Sequence, residues 1–259
     1  MFEIADAYEV MMGRWSRQLA PLFVDFAGVQ EGERVLDVGC GTGSLSATLA
    51  RVTKTSEIVG IDPSTGFIEY ARTQTTDSRV TFELGDALKL PYPDDSFDRC
   101  MALLVMDHIP DAPNGAAEMR RVTRPRGVVA TTMWDRSRDN ELYGCFWDAA
   151  EALDPTATRS SAKRASYGSA AALSNLWEGA GLADIEIADL IMPCQFSSFD
   201  ELWQRYLTGE GPAGAYMADL SADRREELKS LMRQNVMGDG RDGPFTLQAK
   251  AWAVRGVVP

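Results

Sequence analysis

The chain has 259 residues, 45% of them hydrophobic and 25% charged, enough for one large α/β domain or two small ones. Its formal net charge of -12, with no lysine or arginine run, argues against a polyanionic partner such as nucleic acid. The four scattered cysteines (Cys40, Cys100, Cys145, Cys194) form no C-x-x-C pair, which fits reduced thiols better than a disulfide or zinc framework. The N-terminus lacks the basic start and apolar core of a signal peptide. No apolar run approaches membrane-spanning length, so a cytoplasmic protein is expected.

Residues 1–31 carry Tyr8, Met11, Met12, Trp15, Leu19, Leu22, Phe23 and Phe26 at helical spacings. One or two amphipathic helices covering a sheet edge are expected there. Met12-Gly13-Arg14-Trp15-Ser16-Arg17 sets a glycine and two arginines beside a tryptophan. The stretch Arg34-Val35-Leu36-Asp37-Val38-Gly39-Cys40-Gly41-Thr42-Gly43 comes next. Its apolar run is broken only by Asp37 and ends at glycines on alternate positions. A helical pattern (Leu45, Ala47, Leu49, Ala50, Val52) follows at once. Strand, glycine turn and helix open a nucleotide-binding βαβ unit. The glycines let backbone approach a ligand where a Cβ would collide, and the new helix turns free N–H groups toward it. The spacing is not that of the dinucleotide fingerprint, because the third glycine comes one step early and Ser44 follows. The Asp37 carboxylate would repel a pyrophosphate and suits a ligand carrying an amino group or positive charge.

Asp37-Val38-Gly39-Cys40-Gly41-Thr42-Gly43 closely resembles motif I of the class I S-adenosylmethionine-dependent methyltransferases. The likeness is to the small-molecule type 11 group that includes ubiquinone-biosynthesis methyltransferases. It implies S-adenosyl-L-methionine as cofactor, S-adenosyl-L-homocysteine as product, and cofactor contacts from Asp37, Gly39, Cys40, Gly41, Thr42 and Gly43. It also implies that the N-terminal segment folds over the cofactor. Tyr8 and Arg14 would then reach the carboxylate of the methionine half, which suits the two-pronged arginine fork. The second strand, Glu57 to Asp62, ends at Asp62-Pro63-Ser64 and runs into a helix through Ile68, Tyr70 and Ala71. Asp62, 19 residues after Gly43, stands where an acid accepts from both ribose hydroxyls. Its competing job is a helix N-cap, which Ser64 can fill. By resemblance Phe67 packs on the adenine face. Strand three, Val80 to Leu84, leads to Gly85-Asp86-Ala87. There the family has an acid for the adenine amino group and a backbone N–H for a ring nitrogen.

The loop Leu90-Pro91-Tyr92-Pro93-Asp94-Asp95-Ser96-Phe97-Asp98 also matches the family and leads into strand four, Arg99 to Met106. The end of that strand, with Leu104, Val105 and His108, is expected to line the centre of the site. His108 is the only histidine. It is the one candidate for proton transfer, although a lone histidine at a strand end is usually structural. A helix including Glu118 to Val122 and the turn Arg124-Pro125-Arg126-Gly127 then enter strand five, Val128 to Trp134. The family commonly has Pro-Gly-Gly at that turn.

Further on, helices are expected over Asn140–Leu153, Ser169–Ala180 (C-capped by Gly181), Phe199–Leu207 and Asp223–Met232. Strands are expected over Ile185–Pro193 and Phe245–Arg255. Arg159 to Tyr167 reads as a polar loop. Gly209-Glu210-Gly211-Pro212-Ala213-Gly214 reads as a mobile lid that joins neither neighbouring helix. The resemblance implies a Rossmann-like, doubly wound, seven-stranded sheet of order 3-2-1-4-5-7-6, its last strand antiparallel, with a helical roof. The ligand would lie across the C-terminal strand ends, at the switch between strands one and four. A single methyltransferase domain, 1–259, is expected. It comprises a helical cover (1–31), a cofactor-binding core (32–135), roof segments (136–180 and 197–243) and a final strand pair (182–196 and 244–256). The roof aromatics Trp147, Phe196, Phe199, Trp203 and Tyr206 favour a small, partly hydrophobic acceptor over a protein or RNA. Two other readings stand: a non-catalytic S-adenosylmethionine-binding module, and a nicotinamide-dependent oxidoreductase on a similar fold. No metal-ligand pattern is present. The acceptor, the accepting atom and the oligomeric state are not legible.

Overall fold

The computed structural model describes residues 9–137, 140–157, 167–208 and 211–259. A π-helical turn, Glu9–Gly13, leads into α1 (Arg14–Ala27), which buries Trp15, Leu19, Phe23 and Ala27 on one stripe at four-residue spacing. Gly28, at φ +69°, ends it in the left-handed region that glycine tolerates. In order follow β1 (Arg34–Val38), α2 (Ser44–Val52), β2 (Glu57–Asp62), α3 (Thr65–Gln74), β3 (Val80–Leu84), β4 (Phe97–Leu103), α4 (Ala112–Val122) and β5 (Thr123–Trp134). The remainder comprises α5 (Glu141–Leu153), α6 (Ala170–Gly179), β6 (Ala183–Phe196), α7 (Phe199–Gln204), α8 (Gly211–Asp219), α9 (Ala222–Met237) and β7 (Phe245–Val257).

The strands form one sheet of order β3-β2-β1-β4-β5-β7-β6. The pairs from β3 through β5 are parallel, and β7 runs antiparallel to β5. This is the expected order. The central strands are apolar on both faces because both are covered. On one face Leu36, Val38, Val59, Ile61, Cys100 and Val129 pack with Met119, Val122, Leu173 and Trp177. On the other, Val35, Ile58, Met101 and Ala130 pack with Phe23, Val24, Leu45, Leu49 and Ile68. Arg99, only 4% exposed, ties the sheet to the end of α1. Its guanidinium donates to both Glu33 carboxylate oxygens at 2.9 Å and to the Gly28 carbonyl at 3.1 Å, with a further bond to the Ala27 carbonyl. Arg121 fixes the loop before β4 by donating to the carbonyls of Leu90 and Tyr92 and to the carboxylates of Asp94 and Glu118.

Packing divides the chain into two compact units. One comprises Met1–Asp135, Ser166–Leu190 and Ala251–Pro259; the other comprises Arg136–Ala165 and Ile191–Lys250. The second unit has its own aromatic core. Phe146 stacks on Tyr206 at 4.5 Å and meets Trp147 edge-on at 5.2 Å and Tyr216 at 6.1 Å. Phe199 lies beside Trp203 at 6.4 Å, and Phe196 stacks on Phe245 at 5.3 Å. Trp147, Phe196, Phe199, Trp203 and Tyr206 are all buried. They account for the unit's own packing, so they carry no information about an acceptor.

Several expected boundaries move. β4 ends at Leu103, not Met106, because Leu104 turns to φ +62° and Met106–His108 forms a 3-10 turn. β5 begins at Thr123, and its pairing with β4 is irregular until Val128. There Arg126 takes φ +66°, a conformation that explains the glycine usual at this turn. The lid expected over Gly209–Gly214 is overturned in part. The chain is already helical from Gly211, with Pro212 in the first turn, where its missing N–H costs nothing. Gly209 and Glu210 lie outside the described residues, as do residues 159–166 of the expected polar loop.

Candidate functional site

The glycine turn after β1 is bound to the end of β2. The N–H groups of Gly39 and Cys40 donate to the Ile61 carbonyl at 2.8 and 3.1 Å. The N–H of Gly41 donates to Oδ2 of Asp62 at 3.0 Å, while Oδ1 of Asp62 accepts from the Ser64 N–H at 2.8 Å. Each Asp62 oxygen thus keeps one free lone pair, a fit for two adjacent hydroxyl donors. Burial raises the Asp62 pKa above its ordinary value, opposed by the two backbone N–H bonds. Ser64 caps α3 by accepting from the Phe67 N–H, which frees Asp62 from that job.

The three glycines differ in what surrounds them, although all have positive φ (+67°, +52° and +90° at Gly39, Gly41 and Gly43). A Cβ on Gly39 would lie 2.3 Å from Cγ2 of Val105, and one on Gly43 would lie 3.1 Å from Cζ of Phe82. Those two are glycines because protein packs against them. A Cβ on Gly41 would meet no atom of the described residues within 4 Å. Gly41 therefore opens, beside the Asp62 carboxylate, on space that no described residue fills.

The neighbouring candidates join this cluster through backbone contacts. The Gly85 N–H donates to the Asp62 carbonyl at 3.1 Å, which brings Gly85-Asp86-Ala87 alongside. Asp86 is exposed, and one of its oxygens accepts from the Leu88 N–H at 2.9 Å. Phe67 is half-buried and Pro63 exposed, while Thr42 and Ser44 are buried in the turn. The Cys40 thiol is buried, and burial pushes its pKa well up. Val105 reaches the site through Gly39. Leu104, half-buried, is held in its left-handed conformation with its N–H on the Thr132 carbonyl at 2.9 Å.

Asp37 is fully buried. Its Oδ2 accepts from the N–H and hydroxyl of Ser46 at 3.0 and 2.6 Å, while Oδ1 has no partner among the described residues. Burial pushes its pKa up to about 7. Ser46 was not singled out from sequence. The signal for it was a run of small hydroxyl residues, Ser44, Ser46 and Thr48, buried together with Leu45 and Leu49 on the helix. His108 is exposed on the 3-10 turn, and its backbone N–H donates to the Val105 carbonyl at 2.8 Å. Arg14, at the start of α1, stacks its guanidinium over the Trp15 ring at 3.9 Å. Tyr8 lies outside the described residues.

The sheet order β3-β2-β1-β4-β5-β7-β6, with the glycine turn after β1, is that of the class I methyltransferase fold. The comparisons agree. A sequence family described as a methyltransferase domain matches residues 36–131. Methyltransferase GfsG of Streptomyces halstedii is 45% identical over 106 residues, 39% of this chain and 38% of that protein. The 2-methyl-6-phytyl-1,4-hydroquinone methyltransferase of Synechocystis is 30% identical over 185 residues, 70% of this chain and 56% of the relative. The chain thus matches less than two thirds of the length of either relative. The YcgJ protein of Bacillus subtilis shares the fold, with a TM-score of 0.60 at 22% identity, covering 94% of this chain and 98% of that one. Residues 36–131 thus match a methyltransferase domain, and the fold is that of the solved class I methyltransferase neighbours.

Proposed function

We propose that the protein transfers a methyl group from S-adenosylmethionine to a small, partly hydrophobic acceptor by in-line displacement. The open space at Gly41, bordered by the Asp62 carboxylate, carries this reading. When bound, the cofactor supplies a methyl made electrophilic by its positively charged sulfur. The glycine turn admits the ligand to van der Waals distance of the backbone. Asp62 would hold both ribose hydroxyls, while Phe67 and the Gly85-Asp86-Ala87 turn would flank the adenine. Leu104 and Val105, at the end of β4, would border the reacting end. The protein's main contribution is then alignment and exclusion of water, which can account for several kcal/mol of the barrier. The hydroquinone acted on by the Synechocystis relative supports a partly hydrophobic acceptor. An acceptor that must lose a proton needs a base, and the exposed imidazole of His108 is not built for that task.

The test is transfer of labelled methyl from S-adenosylmethionine into a metabolite extract, resolved by chromatography. One labelled product, absent with Gly41→Val, is the expected result. Tight cofactor binding with no labelled product in any extract would favour the non-catalytic binding module instead.

A further inference from the structure

The end of β4 carries side chains that the donor site does not use. Asp107 lies two residues after Val105, whose methyl group closes on Gly39, so the Cα atoms of Val105 and Asp107 are within about 7 Å. The Asp107 carboxylate accepts from the backbone N–H of Tyr167 at 2.8 Å. That bond ties the chain entering α6 to the 3-10 turn after β4. The Tyr167 ring, half-buried, packs against the same core cluster as Val105, Ala87 and Leu88. It therefore shares its apolar support with two segments of the proposed ligand space, the end of β4 and the turn after β3. Packing accounts for the ring, and a phenylalanine would pack as well. The hydroxyl is what packing leaves unexplained, for it has no hydrogen-bond partner among the described residues. Burial, and then the carboxylates of Asp107 and Asp111, raise its pKa. The phenol thus keeps its proton at neutral pH and can donate a hydrogen bond.

We propose that Tyr167 is an acceptor-binding residue, whose hydroxyl donates a hydrogen bond to an oxygen or nitrogen of the methyl acceptor at the end of β4. The inference deepens the methyl-transfer reading above and rests on it. Such a bond turns the acceptor to one orientation, which in-line displacement requires. It also narrows the acceptor class. The charged groups that act on the phenol are both carboxylates, so an acceptor carboxylate or phosphate beside it would be repelled. The group that Tyr167 holds is an uncharged one, a hydroxyl, carbonyl or neutral amine, on a molecule without an acidic group.

Tyr167→Phe tests this, because it keeps the ring and removes only a hydroxyl that bonds to nothing described. Parent and variant are compared by transfer of labelled methyl into a dilution series of metabolite extract, by titration calorimetry with S-adenosylhomocysteine, and by thermal denaturation. With dilute extract the variant should be about three- to tenfold slower, the worth of one neutral hydrogen bond. The deficit should shrink as the extract is concentrated, since what is lost is acceptor affinity. The S-adenosylhomocysteine Kd and the Tm should match the parent's, and the labelled product should pass through an anion exchanger at neutral pH. Parental rates at every extract concentration would overturn the proposal. So would a slower variant whose donor affinity or Tm falls with the rate, which is the mark of a structural role. A labelled product retained by the exchanger would overturn the acceptor class. No labelled product from the parent protein would overturn the methyl-transfer reading itself, and this inference with it.

Discussion

The three glycines of the turn make a sharp prediction, because the structure gives each a different reason to lack a side chain. In Gly41→Ala the new Cβ meets no described protein atom within 4 Å, so the folded chain bears only the left-handed backbone at φ +52°. That costs about 1 kcal/mol for an L-residue. In Gly39→Ala the same backbone strain at φ +67° is joined by a Cβ 2.3 Å from a Val105 methyl. Val105 or the turn must move, adding about 1–3 kcal/mol of overpacking. Stability and ligand affinity should therefore separate. Gly41→Ala should melt close to the parent and bind S-adenosylhomocysteine about tenfold or more weakly, since overpacking of 1–3 kcal/mol now falls on the complex. Gly41→Val, with two further methyls in the ligand space, should show no measurable binding. Gly39→Ala should melt well below both. Thermal denaturation and titration calorimetry on the three variants decide the matter. Parental affinity in Gly41→Ala and Gly41→Val would refute the reasoning, since the free space would then lie outside the ligand site.

Other outcomes are expected from the same structure. Folding holds a proton on Asp37 up to about pH 7, against an ordinary value of 3.8, so its contribution is full at low pH and is lost as pH rises from about 4 to 7. Denaturant titrations should show Asp37→Asn gaining on the parent across that window by up to about 4 kcal/mol; a constant difference would contradict it. His108→Asn should keep at least about a hundredth of the parental methyl-transfer rate, whereas a general base contributes 10²–10⁴-fold. A larger loss with unchanged cofactor affinity would make His108 a base. Arg126→Gly should relieve the backbone at φ +66° and raise stability by about 1 kcal/mol, read as a higher Tm. A fall in Tm would mean that the arginine side chain contributes more than its backbone costs.

Much of the site was local in sequence, and for that reason legible. A strand, three alternate glycines and a helix constrain backbone within ten residues, and the motif reads without knowledge of the rest. Asp62 and Asp86 are candidates of the same local kind, at strand ends marked by turn residues. The sheet order followed from the family likeness, since hydrophobic runs alone do not say which strands are neighbours. Tertiary structure decided what depends on residues distant in the chain. Val105 makes Gly39 a packing glycine, and Phe82 does the same for Gly43, which leaves Gly41 to face open space. Leu104 and Arg126 enter the left-handed region although their residue types disfavour it, because pairing with Thr132 and Val258 holds their N–H groups. Gly211 to Gly214 join a helix against their composition, intrinsic propensity being only a weak guide. Asp37 is the clearest case. Its place in the motif was plain from the sequence, but its charge depends on dielectric surroundings assembled from three strands and a helix, and only the folded chain sets those.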